Sequence, residues 1–303
     1  MVFGIFNIPA LSKITETAMP AIQTTTAADT LSDADYEFLR RLVYEHSRIN
    51  LGSDKRALVS ARVAKRLRAL KIGGYREYCQ RLKTAAGVDE LTDLVDVIST
   101  NHTHFFREEK HFDWLNSVLL PQWRLHHDEN ETFRAWSAAS SSGEEPYTLA
   151  IVLAEFFGTD GKWTIDATDI STRVLAKAGQ AVYHEEKLAP VRPELLRRYF
   201  QRGVGQWQGS FRVREDLREH VRFQHLNLLQ PQYPFSQRFQ LIFCRNVMIY
   251  FDRPTQETLI AKLTEQLEPG GHLLVGHSES LSGVHHSLRQ LQPAIYLKPE
   301  NKG

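Results

Sequence analysis

The chain has 303 residues, 42% of them hydrophobic and 24% charged, with a formal net charge of +1. That length admits two domains, or one with an appendage, around a real core. No run approaches the ~20 apolar residues that cross a bilayer, two cysteines make no disulfide framework, and none of the 13 histidines stands in an HExxH spacing, so no metal is expected.

The chain opens MVFGIFNIPALSK, apolar but without a basic n-region, so no secretory signal is read there. Residues 1–30 read as a poorly ordered leader. LSDADYEFLRRLVYEHSRI follows, a helix with Ser32 as its N-cap. A second helix is expected over about 54–71, stopped by Gly73-Gly74, with Val59, Val63, Leu67 and Leu70 as its apolar stripe. Lys55, Arg62, Lys65 and Arg66 fall on an adjoining arc. Between 55 and 83 there are ten Lys or Arg and one acid, Glu77. Amphipathic segments near 75–84 and 89–100 complete an all-helical domain at 31–100 with one basic face. Residues 101–130 read as a linker and the start of the active site.

From 131 to the end the rhythm is that of a second domain. TFRAWSA reads as a strand, EEPYTLAIVLAEFFG as a helix closed by Gly158, KWTIDATD as a strand and STRVLAKAGQAVY as a helix. HVRFQHL and FQLIFC are strands. PTQETLIAKLTEQLEPGG is a helix from Pro254 at its first position to Gly270, and HLLVG and AIYLKP are the last strands. Strands alternating with helices of this length predict a doubly wound α/β fold with a mainly parallel sheet. The stretch 183–219 breaks the alternation; its RGVGQWQG reads as a hairpin-like turn in a small inserted β subdomain.

Residues 134–149, RAWSAASSSGEEPYTL, run from strand through a small-residue loop into a helix. In an open parallel sheet this is where ligands bind. Asp169 ends the next strand, loosely matching the acid that accepts from ribose hydroxyls. A dinucleotide would set its pyrophosphate on the helix N-terminus, but Glu144 and Glu145 occupy that spot and GxGxxG is missing. The pattern favours a nucleoside with a cationic end, such as S-adenosylmethionine. The plain alternative is that the two acids only complement the helix dipole.

At this point the residues resemble a known family. SAASSSGEEPYTLAI looks like the cofactor loop of the chemotaxis receptor methyltransferases, the CheR family. NHTHFFRE at 101–108 is similar to its N-x-T-x-F-F-R segment, CRNVMIYFD at 244–252 to its C-R-N-V-x-I-Y-F signature, and GGHLLVGHSESL at 270–281 to its late strand and loop. The four stretches keep the family's order, and the likeness covers about 31–298. Ala139 and Ser140 depart from it, standing where the family's loop often has Gly or Cys.

The resemblance implies an S-adenosylmethionine-dependent methyltransferase sheet, with the helical domain ahead of it. It implies methyl transfer to glutamates on the cytoplasmic helices of chemoreceptors, leaving S-adenosylhomocysteine. The cofactor site it implies is Asn101, Thr103, Arg107, Glu145, Asp169, Asn227, Leu228, Arg245 and Asn246, with Tyr250 beside the sulfonium methyl and Arg107 and Tyr250 as the catalytic pair. Asn101 and Thr103 also suit a helix cap, and Arg245 a surface ion pair. A carboxylate is already ionised at neutral pH, so the reaction needs positioning and desolvation rather than a base; Phe105 and Phe106 suit water exclusion or ordinary core. The resemblance implies a cytoplasmic monomer, neither inserted in the membrane nor bound to nucleic acid, recruited to receptor arrays. Lys55, Arg62, Lys65 and Arg66 would dock on the acidic receptor stalk, although a basic helix also suits nucleic acid or bare solvent. Gly203, Gly205 and Gly209 resemble the turn with which some members grip the receptor's C-terminal pentapeptide, or serve simply as turn formers. A small-molecule or RNA methyltransferase, or a non-catalytic scaffold, stays open as an alternative.

Overall fold

The computed structural model describes residues 4–6, 30–85, 87–99 and 103–300. The chain divides into two compact units, one of Phe6–Thr100 and one of Met1–Ile5 with Asn101–Gly303. The expectation for the leader falls largely outside the described residues. Within it, however, Gly4–Phe6 forms a strand, β1.

In the helical unit, Ser32 does cap α1 (Asp33–Ser47), its hydroxyl accepting the Asp35 N–H while Asp33 and Asp35 complement the helix dipole. α2 (Arg56–Leu70) follows a single 3₁₀ turn and buries Val59, Val63 and Leu67; Leu70 is only half-buried against them. α3 (Tyr75–Leu82) and α4 (Gly87–Ile98) close the core with Tyr78, Leu94 and Ile98. Two members of the expected basic arc are engaged inside this unit. The Arg66 fork donates to both oxygens of buried Glu90, at 2.7 and 2.8 Å, and to Asp93. Tyr78 Oη adds a third donor to Glu90 at 2.7 Å. Arg62 donates to the Ile98 and Ser99 carbonyls that end α4. Lys55 and Lys65 remain exposed, Lys55 beside Asp54 at 3.0 Å.

In the second unit, α5 (Lys110–Trp114), a π-helical turn and α6 (Leu120–His126) form one run. Pro121, which has no N–H to donate back, accounts for the widened turn just before it. Then β2 (Phe133–Ala138), α7 (Glu144–Phe157), β3 (Trp163–Asp169) and α8 (Thr172–Gln180) follow as read from sequence. α8 stops earlier than expected, at Ala181 with φ 57°, and β-prone Val182–His184 becomes β4. The insert adds α9 (Pro193–Tyr199), β5 (Phe200–Gly203), β6 (Ser210–Val213) and α10 (Glu215–Arg218). β7 (Val221–His225), β8 (Phe239–Cys244), α11 (Arg253–Gln266) and β9 (Leu267–Val275) resume the alternation. Pro254 is the second residue of α11, behind an Asp252 cap. The helix ends before Gly270, because Leu267–Gly271 already lies in β9. β10 (Arg289–Gln292) and β11 (Ile295–Leu297) end the sheet.

The large sheet has the order β10-β11-β9-β8-β2-β3-β7, parallel from β9 to β7 and antiparallel only at β11 and β10. Its two faces carry two apolar clusters. One includes α5, α6 and α7 residues such as Trp114, Trp123 and Ile151. The other includes Leu259, Ile260 and Leu263 of α11. The insert's strands form a separate antiparallel sheet, joined at its edge by β1 in the order β1-β5-β6-β4. Among the described residues no helix is long and apolar enough to cross a membrane.

Candidate active site

β2 pairs with both β3 and β8, and its end is level with theirs: Ala138 lies opposite Thr168 and Cys244, and Asp169 opposite His225 of β7. Consecutive crossovers therefore run in opposite directions from β2, leaving a crevice at the carboxyl ends of the strands. The loop after β2 turns sharply there. Ala139 (φ 66°) and Ser141 (φ 50°) sit in the left-handed region, at a cost of order 1 kcal/mol or more each. Asp169 holds the loop in place: one carboxylate oxygen accepts the Ser141 N–H and the other the Ser171 N–H, both at 2.9 Å. A carboxylate at this strand end is of the type that accepts from ribose hydroxyls.

The two glutamates opening α7 have different partners. Glu144 is fully buried and takes Lys187 of the insert and the Ser142 hydroxyl. Glu145 accepts from Ser137 Oγ at 2.7 Å and faces Arg245 Nη1 at 3.3 Å. Burial pushes the Glu145 carboxyl above its ordinary range, against the pull of Arg245 and Ser137.

Arg245 is no surface ion pair. Its side chain is 1% exposed, lies 3.1 Å from Glu108 and 3.3 Å from Glu145, and donates to the Arg107 carbonyl. The rings of Phe112 and Phe243 flank its guanidinium at 5.7 and 5.4 Å. Both Nη groups of the fork thus meet protein partners. Glu108 (φ 57°) also takes the His277 N–H at 3.2 Å and faces the Asn246 amide at 3.4 Å. Burial alone would raise its carboxyl, but Arg245 and these donors hold it below the ordinary range.

Asn246 (φ 59°) donates its backbone N–H to Glu279 at 2.6 Å; the N–H groups of Met248 and Gly276 converge on the same carboxylate at 2.7 Å. At Gly276 a Cβ would stand 2.5 Å from the Asn246 amide nitrogen and 2.7 Å from a Glu279 carboxylate oxygen, so a larger residue would have to displace these side chains. Tyr250 closes the short 3₁₀ turn Met248–Tyr250 and is half-exposed. Asn227 follows β7 and turns the chain by accepting the Leu229 N–H at 2.9 Å; Leu228 is buried. Arg107 is half-buried in the turn before α5, and its charge acts on Glu145. Thr103 is half-buried just ahead of that turn. Asn101 lies outside the described residues. Phe105 is core, edge-on to Tyr183 and Phe200 at 5.0 and 5.7 Å. Phe106 lines a separate cavity of about 340 Å³ with Phe112, Ile151 and Pro190.

Glu108, Glu279 and His111 were given no role from sequence. The two glutamates stand inside motifs already singled out, FFRE and HSES, and an acid within such a motif was the available signal. His111 is buried, and burial with the nearby Arg245 charge pushes it down to about 3. Donor atoms of Glu108, His111 and His277 lie within 4.8 Å of one another. The Arg245 charge against the same carboxylate opposes a cation there. The turn at Gly203–Gly209 explains its own glycines. Gly205 and Gly209 have φ of 60° and 79°, and a Cβ on Gly203 would stand 2.2 Å from the Trp207 carbonyl oxygen.

The residues at this crevice and the helical unit both find counterparts among known proteins. Residues 101–297 match the family described as CheR methyltransferase, SAM binding domain, and residues 34–99 the CheR methyltransferase, all-alpha domain. A chemotaxis protein methyltransferase of Salmonella typhimurium is 39% identical over 273 residues, 90% of this chain and 92% of its own. Those of Borreliella burgdorferi and Escherichia coli are each 41% identical, over 86% and 83% of this chain and 92% and 86% of theirs. With both domain types matched in order and relatives aligned along most of both chains, this chain belongs to the CheR family of S-adenosylmethionine-dependent methyltransferases.

Proposed function

We propose that the chain methylates glutamate side chains on the cytoplasmic helices of chemoreceptors, forming methyl esters, and that it does so as a cytoplasmic monomer recruited to receptor arrays. The observation that carries this reading is the buried junction at the switch point. There Glu108 and Glu145 share one guanidinium, Arg245. With both carboxyls ionised the trio carries one more negative than positive charge, which suits a sulfonium and an ammonium and opposes a pyrophosphate. The Asp169 carboxylate at the end of β3, of the type that accepts from ribose hydroxyls, completes the fit.

S-adenosylmethionine, when bound, supplies a methyl group on a sulfonium, whose sulfur keeps the bonding pair as the methyl passes to a carboxylate oxygen. The protein's part is positioning. Asp169 takes the ribose hydroxyls, and Glu145 offsets the cationic end. Thr103, Asn227, Leu228 and Asn246 line the remainder, a role the sequence resemblance gives to Asn101 as well. Arg245 acts through the two carboxylates that it orients. The Arg107 fork is suited to a planar carboxylate, that of the incoming glutamate or of the cofactor, and Tyr250 stands by the methyl. Lys55 and Lys65 give the helical unit its outward charge for an acidic receptor surface. The insert's antiparallel sheet suits a tail pentapeptide that adds as a strand, with Gly203, Gly205 and Gly209 shaping the adjoining turn.

Incubation with receptor-bearing membranes and methyl-labelled S-adenosylmethionine tests the reading. A base-labile label on a receptor band is expected; label on RNA or a metabolite, or none at all, overturns it. Arg107→Ala should reduce labelling at least a hundredfold while retaining circular dichroism; unchanged labelling removes Arg107 from its role.

A further inference from the structure

The insert supplies only three strands to its own sheet. The fourth, β1 at Gly4–Phe6, comes from far upstream and lies against the outer edge of β5. Without β1, that edge would present a row of unpaired N–H and C=O groups, a template for any extended segment. It adjoins the Gly203–Gly209 turn, because β5 ends at Gly203. The segment around β1, VFGIF, is rich in β-branched and aromatic residues, and Phe6 is buried. A strand of three residues makes few ladder bonds, each of modest net worth. It persists on the edge because it belongs to the same chain and so competes at an effective rather than a bulk concentration. Such a contact excludes weak partners and yields to a longer strand.

We propose that the segment carrying Gly4–Phe6 is an intramolecular cover of the β5 edge, displaced when an extended, aromatic-bearing peptide of another protein pairs there. The identity of that external strand as a receptor tail rests on the tether reading given above; the cover itself does not.

Two variants test it, deletion of residues 2–6 and, in the full chain, Ile5→Pro, a residue type that disfavours strand pairing. Binding of S-adenosylhomocysteine checks that each is folded. The probes are a fluorescent peptide MVFGIFNI and a synthetic peptide of the last ten residues of a methyl-accepting chemoreceptor. We expect MVFGIFNI to bind both variants at least tenfold more tightly than the parent chain. Amide exchange over Phe200–Gly203 should be faster in the variants and slow again when the peptide is added. Equal binding to parent and variants, with no change in exchange, overturns the cover. If the variants take MVFGIFNI but not the receptor peptide, the cover stands and the tether falls. If the receptor peptide binds parent and variants alike, the tether stands and the cover falls.

Discussion

Glu279 ties two loops of the crevice together. One carboxylate collects three backbone N–H groups from Asn246, Met248 and Gly276, so it fixes the backbone of the CRN turn against the loop after β9. A glutamine has a single acceptor oxygen and leaves part of this set unpaired, at about 1–3 kcal/mol for each buried group. Glu279→Gln should weaken S-adenosylhomocysteine binding by tenfold or more in calorimetry, with the helical unit's unfolding unchanged. Arg245→Met should do greater damage, about 3–5 kcal/mol, because it strands two largely buried carboxylates, their side chains 14% and 13% exposed; a urea midpoint matching the parent's would refute the shared-guanidinium description. The buried histidines set an acid limit. Burial and Arg245 push His111 from 6.5 down to about 3, and burial pushes His272 from 6.5 down to about 4. Between these values and 6.5 the unfolded chain binds protons that the folded one refuses, so stability is complete above pH 6.5 and falls as pH drops toward 4. At pH 5 each contributes a loss of about 2 kcal/mol. His272→Phe should flatten the fall in urea midpoint between pH 7 and 5; a fall as steep as the parent's refutes the assignment.

At the scale of elements, charge pairing joins segments that are distant in sequence. α2 and α4 are clamped by Arg66 on Glu90 and Asp93, and Glu90 is only 4% exposed. Arg66→Ala leaves that buried carboxylate without its counter-charge, held by the Tyr78 hydroxyl, so it should destabilise the helical unit by about 3–5 kcal/mol, read as a lower urea midpoint. Charge reversal there would confound docking with unfolding. Lys55→Glu with Lys65→Glu is the cleaner probe, since both side chains are exposed. This pair should raise the receptor KM several-fold, leave cofactor affinity alone and keep the helical unit's midpoint. An unchanged KM would take these two lysines out of the docking surface.

For the whole molecule, the net charge of +1 conceals ten basic residues against one acid between 55 and 83. Encounter with an acidic partner should therefore depend on the charge of one unit rather than on the total. The Debye length shortens from about 10 Å at 0.1 M salt to about 3 Å at 1 M, so the receptor KM should rise with salt while S-adenosylhomocysteine affinity at the sheet moves little. Parallel changes in both would argue against separate electrostatic roles for the two units.

Most of the elements were legible because burial is periodic along the chain. Val59, Val63 and Leu67 repeat at the helical spacing, and FQLIFC is a run that only a buried strand tolerates. The ligand edge was legible too, since a strand, a small-residue loop and a helix fix where a parallel sheet opens. β10 carried no such signal, for its four residues Arg289–Gln292 are all exposed. β1 was lost in a leader with no recognisable partner, because its pairing strand β5 lies far along the chain. The same reason governs the charges. A sequence shows that Arg66, Arg62 and Arg245 are basic, but which carboxylate or carbonyl each one meets depends on segments 24, 36 and 138 residues away. Local periodicity thus determined the helices, the strands and the crevice, whereas the engaged or outward-facing state of each charge was decided only when the chain closed on itself.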